Sequence, residues 1–148
     1  MKTSSFFSKG GKDENAVAIC RGLPRWYEGR VYKKLAPTWA MLKMSEAEFE
    51  SAYRSQILGG LNAAQVYDEL GADAVLLCWE PFNVRCHRRL VAEWLESELG
   101  VEIPEFGYER ADSIPFCDQR RAEKKPKPEP EPVAVKPPER TVAQRNLF

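Results

Sequence analysis

Two short runs, AVAIC at Ala16–Cys20 and AVLLC at Ala74–Cys78, restrict the fold more than any other part of the chain. Each is apolar without alternation, which suits a strand covered on both faces, as in a parallel sheet. Each ends at a cysteine and passes directly into polar residues. Parallel strands need a long crossover between them, and the intervening sequence supplies helices. In SEAEFESAYRSQIL, Ser45 is followed by Glu48 in the pattern of a capping box, and Gly59-Gly60 stops the helix. In NAAQVYDELG, Asn62 is the cap, Gln65 stands at the third helical position and Gly71 is the stop. Beyond the second run, HRRLVAEWLESELG places Leu90, Val91, Trp94, Leu95 and Leu99 on one face and stops at Gly100. VEIPEF is read as a short edge strand.

Strand, helices, strand, helix predicts an α/β domain, a small mostly parallel sheet flanked by helices. Its expected span is residues 1–117. Residues 118–140, including EKKPKPEPEPVAVKPPER, are rich in Pro, Lys and Glu, without aromatics, and read as a disordered linker. Residues 141–148 form a terminal peptide.

The whole chain has 22 basic and 22 acidic residues, but residues 1–117 carry 14 basic and 17 acidic side chains against 8 and 5 in residues 118–148. An acidic body excludes a general nucleic-acid coat, so any polyanion contact must be local. The opening MKTSSFF has no long apolar run, and no export signal or membrane span is expected. A cytoplasmic location and free thiols at Cys20, Cys78, Cys86 and Cys117 follow as expectations. No metal site is expected, because no CxxC pair occurs and the lone histidine, His87, adjoins Cys86 without metal-finger spacing. Nothing in the sequence names a cofactor.

In an open parallel sheet, loops after neighbouring strand ends line a shared crevice. These loops begin Cys20-Arg21-Gly22 and Cys78-Trp79-Glu80, and the next helix begins at Cys86-His87-Arg88. Helix-start amides favour an anion and lower the pKa of a nearby thiol. Arginine suits the first turn of a helix poorly, and its presence at Arg88 and Arg89 points to an anionic partner. Plainer roles fit the same residues: buried thiols, His87 stacked on Trp79, arginines on a solvated helix face, and Trp26, Tyr27 and Tyr32 as packing.

ICRGLPRWYEGRVYKKLAPTW followed by LLCWEPFNVRCHRRLVAEWL resembles the family known as domain of unknown function 488. The likeness rests on an Arg-Gly-x-Pro-x-Trp loop, a strand ending Cys-x-Glu, and a Cys-His-Arg at a helix start, across Ala16 to Pro104. It implies an α/β fold with its site on these motifs and leaves the activity unassigned.

Two functional readings remain. In one, an enzyme acts on a nucleotide or nucleic acid: Arg21 and Arg88 hold phosphate, Glu80 or His87 moves a proton, and Cys86 is a nucleophile or polar contact. In the other, the crevice is a non-catalytic binding module. In either, Arg21, Arg25 and Trp26 offer a face to stack a base and grip a phosphate. A separate signal lies in TVAQRNLF, where Gln144, Leu147 and Phe148 resemble the bacterial sliding-clamp binding motif. Arg145 stands where leucine is preferred, which implies weaker binding. Burying Leu147 and Phe148 in an apolar cleft brings roughly 3–6 kcal/mol of gross burial, enough for micromolar affinity after ordering costs. The resemblance implies recruitment to DNA in replication, repair or DNA modification, or a regulator or inhibitor of the clamp.

Overall fold

A computed structural model describes residues 1–82 and 84–108. The linker and clamp peptide read from the sequence lie outside the described residues, as do the last residues of the 1–117 body.

Four strands, all parallel, form one sheet in the order β1-β4-β2-β3: β1 (Lys2–Ser5), β2 (Ala16–Ala18), β3 (Arg30–Val31) and β4 (Val75–Cys78). The two apolar runs are its centre, with Ala16 opposite Val75 and Ala18 opposite Leu77. Both are buried on both faces, as their unbroken apolar character requires. β1 has no such signature. Its Thr3, Ser4 and Ser5 are polar yet buried, and they persist there because each finds a partner. The Thr3 hydroxyl donates to the Glu105 carboxylate, and the Ser4 and Ser8 hydroxyls share a hydrogen bond at 2.6 Å. The VEIPEF segment flanks β1 through a single parallel bridge, Thr3 to Glu105, rather than a full edge strand.

The helices are α1 (Glu46–Ala52), α2 (Ala63–Leu70) and α3 (His87–Leu99). The Ser45 and Glu48 capping box is present in full, and the Asn62 side chain accepts from the Gln65 amide. After Ala52 the helical path widens into a π turn at Tyr53–Ile57, then tightens at Leu58–Gly60. Gly71 and Gly100 close α2 and α3 at φ of 93° and 66°, a backbone region where a Cβ is disfavoured.

Side chains alternate across the pleat, so the sheet has two different faces. Val17, Ile19 and Leu76 meet the helices, packing with Val66 and Leu70 of α2 and Leu90, Val91 and Leu95 of α3. Ala16, Ala18, Val75 and Leu77 face the other way, where Phe6, Leu23, Tyr27 and Phe106 cover them. Each fully buried leucine contributes about 1.5–3 kcal/mol relative to exposure. No helix among the described residues is long and apolar enough to cross a membrane.

Candidate functional site

The carboxyl ends of the strands carry two groups of side chains, one per face. Cys78 is two residues beyond Leu76 and so points toward the helices. There it meets the start of α3, and Sγ of Cys78, Sγ of Cys86 and a ring nitrogen of His87 all lie within 4.8 Å of one another. Trp79, on the alternate parity, joins the opposite face.

His87 is buried and held on both sides. Its Nε2 lies 3.0 Å from the Ile19 carbonyl oxygen, which can only accept, so Nε2 carries the proton. In the neutral ring Nδ1 is then bare, and it faces Cys78 Sγ at 3.4 Å. The ring packs against Tyr53 at 5.7 Å between centroids. Tyr53 in turn donates to the Leu35 carbonyl at 2.6 Å. Cys78 also lies 2.7 Å from Glu80 Oε2. A single thiol proton therefore faces two acceptors.

Burial pushes the Cys86 thiol well up, and the neighbouring Cys78 adds to this, outweighing the opposite pull of Arg88 and His87. The expectation of a thiol activated by the helix start is corrected accordingly: desolvation of the thiolate dominates there. Cys20 behaves similarly, pushed up to about 11 by burial.

Arg88 is the second correction. Its side chain is fully buried and all of its N–H groups are used within the protein. Nε and Nη2 donate to the Glu105 carboxylate at 3.3 and 2.9 Å, Nη1 to the Glu80 carbonyl at 2.7 Å and Cys86 Sγ at 3.2 Å, and Nη2 to the Pro81 carbonyl at 3.1 Å. Five donors are the whole complement of a guanidinium. The anion that the first-turn arginine called for is Glu105 of the same chain. Arg89 is buried too, donating to Glu96 at 3.0 Å, so neither arginine lies on a solvated helix face.

A cavity of about 340 Å³ opens beside the cluster, lined in part by Met41, Phe49, Glu50, Glu80, Cys86 and His87. Arg85 borders it, and its guanidinium reaches Glu50 Oε2 at 2.7 Å. Burial works to raise the Glu50 carboxyl, but hydrogen bonds from Arg85 and Arg54 hold it below its ordinary value. Sequence reasoning missed Glu50 and Tyr53 because the partners that bring them to this site, Arg85 for Glu50 and Leu35 and His87 for Tyr53, are distant in sequence.

On the opposite face, Phe6, Phe7, Trp26, Tyr27 and Trp79 form one aromatic cluster. Phe7 meets Trp26 at 6.3 Å and Trp79 at 5.8 Å, and buried Phe6 contacts Trp26, Tyr27 and Trp79 beneath them. Phe7 is 68%, Trp26 51% and Trp79 42% exposed. The Trp79 indole N–H donates to the Gly22 carbonyl at 2.9 Å, tying the two loops together. Arg25 is exposed next to Trp26, and Arg21 is partly exposed with its Nε donating to the Pro37 carbonyl at 2.9 Å. The structure thus brings Glu80, Cys86 and His87 to one cavity, sets Trp26 and Arg25 on the other face, and removes Arg88 from solvent. Phe7 was not singled out in the sequence because a lone Phe-Phe pair near the start carries no pattern. Gln144, Leu147 and Phe148 lie outside the described residues.

Comparison with protein-family models, curated proteins and solved structures finds no match for the chain.

Proposed function

We propose that the protein acts at DNA, engaging unpaired bases through its exposed aromatic cluster and recruited by a sliding clamp through Gln144, Leu147 and Phe148. The observation that carries this reading is the exposure of Phe7, Trp26 and Trp79 together on the face opposite the helices, at the carboxyl ends of the strands. Large apolar rings left exposed side by side mark a binding surface, and aromatic faces stack any base. Exposed Arg25, next to Trp26 in the chain, supplies cationic charge beside the rings, so a mainly acidic body can still hold a backbone phosphate locally. The likeness to domain of unknown function 488 supports a site at Cys86-His87 and Glu80, and the clamp peptide supports the cellular setting.

Within this reading, the buried, raised Cys86 thiol and the double engagement of His87 favour a binding centre over nucleophilic catalysis by cysteine. The alternative, an enzyme processing a nucleotide or nucleic acid, uses the same cavity.

Titration of the full chain with a single-stranded oligonucleotide tests the proposal through tryptophan quenching. Binding should weaken by roughly tenfold or more in Phe7→Ala, since stacking is worth about 1–3 kcal/mol per base. Deleting Leu147 and Phe148 should abolish clamp binding alone. No oligonucleotide binding at tens of micromolar would remove the DNA reading.

A further inference from the structure

We infer that Cys78, Cys86 and His87 form a binding site for zinc or a similarly thiophilic divalent metal, with its fourth position open to the cavity. The inference goes beyond the proposed function and does not depend on it.

Three features of the cluster converge on a metal. The first is the ligand set, two thiols and an imidazole within 4.8 Å. Zinc–sulfur and zinc–nitrogen bonds of about 2.3 and 2.0–2.1 Å in a tetrahedron set sulfur and nitrogen roughly 3.5 Å apart. Cys78 Sγ and His87 Nδ1 are 3.4 Å apart.

The second is the outer support of His87. Donation from Nε2 to the Ile19 carbonyl fixes the ring and leaves Nδ1 as a bare lone pair directed at the sulfurs. A metal-bound histidine almost always has its other nitrogen anchored in this way. In the metal-free protein, Cys78 Sγ has one proton for both Glu80 Oε2 at 2.7 Å and His87 Nδ1 at 3.4 Å, and when it goes to the partly exposed Glu80 the buried Nδ1 receives none from Cys78. A divalent cation in place of the two thiol protons of Cys78 and Cys86, which leave to solvent, satisfies Nδ1 and both sulfurs at once.

The third is charge. A divalent ion with two thiolates and a neutral imidazole has no net charge, which suits a buried location beside the self-neutralised Arg88 and Glu105 pair. The Arg88 Nη1 donor at 3.2 Å from Cys86 Sγ fixes the position of that sulfur and would stabilise it as a thiolate once a metal displaces its proton.

Cys86 and His87 also line the cavity with Glu80. Two thiolates and one histidine with a solvent-facing fourth position define an open metal site, where water or a ligand donor completes the tetrahedron. Glu80 stands beside that position as a hydrogen-bond acceptor.

The test uses the full chain, purified with a phosphine reductant and assayed for bound metal, then stripped and titrated with Co²⁺. One zinc per chain is expected. Co²⁺ should produce a near-ultraviolet thiolate charge-transfer band and the visible bands of a tetrahedral ion. Cys78→Ser, Cys86→Ser and His87→Gln should each lose these, whereas Cys20→Ser should keep them. Because a variant in this buried cluster can also fail to fold, X-ray absorption at the zinc edge of the wild-type protein gives an independent reading, with two sulfurs and one imidazole expected. Absence of retained metal together with absence of a cobalt–thiolate band overturns the inference, as does a different ligand set. Oligonucleotide and clamp binding are read separately and have no bearing on this outcome.

Discussion

The guanidinium of Arg88 and the carboxylate of Glu105 form an ion pair at 2.9 Å with side-chain exposures of 0% and 4%. The same arginine holds the Glu80 and Pro81 carbonyls, so one side chain fastens the loop before α3 to the segment beside β1. Arg88→Ala should cost about 3–5 kcal/mol in urea unfolding, since it strands a buried carboxylate. Unchanged stability accompanied by lost phosphate affinity would restore Arg88 as a ligand-binding residue.

Tyr53→Phe removes the donor to the Leu35 carbonyl while keeping the ring against Phe49 and His87. The stranded buried carbonyl should cost about 1–3 kcal/mol. Denaturant melts of the two proteins with matched m-values check this, and equal midpoints would show that water replaces the hydroxyl.

Gly11→Ala should destabilise the protein more than Gly22→Ala. A Cβ on Gly11 would lie 2.2 Å from the Phe6 carbonyl oxygen, a backbone atom that cannot swing aside, whereas nothing lies within 4 Å at Gly22. Thermal unfolding should place the Gly11 variant several degrees below the Gly22 variant.

Alkylation of Cys20 by iodoacetamide should be slow at neutral pH and rise with pH toward about 11, because burial holds its thiol protonated. The folded value lies above the ordinary value of 9.0, so the stability this confers is whole below 9.0 and declines as pH rises toward about 11. Mass spectrometry of tryptic peptides after timed labelling reads the rate. Rapid modification of Cys20 at pH 7 would show the site to be open.

The parts of the fold visible in the sequence are those fixed by local chemistry. β2 and β4 announce themselves by unbroken apolar runs, α1 and α2 by caps, and α3 by its apolar stripe and Gly100. β1 is invisible because Thr3, Ser4 and Ser5 are buried only by virtue of partners such as Glu105, far along the chain. β3, two residues long, is too short for periodicity. Of the candidate site, what was legible is a shared place: Glu80, Cys86 and His87 line one cavity beside the strand ends. Roles that depend on remote partners were not. Spacing rules for metals look along the chain and overlook Cys78, which reaches Cys86 and His87 by strand pleat rather than by a short motif. Arg88 was misplaced because no local pattern sets Glu105 opposite it.

The position of β4 between β1 and β2 also governs how the chain comes together in time. Synthesis delivers β1, β2 and β3 before β4, and until Val75–Cys78 appears only the short pairing of Val17 with Arg30 and Ala18 with Val31 is available. The edge of β2 that pairs with β4 must therefore wait open while both helical crossover segments emerge. Such late, non-local closure makes folding slow and exposes a sticky intermediate on the ribosome. A nascent chain paused before Val75 should bind chaperones, and one paused well beyond Leu99 should not.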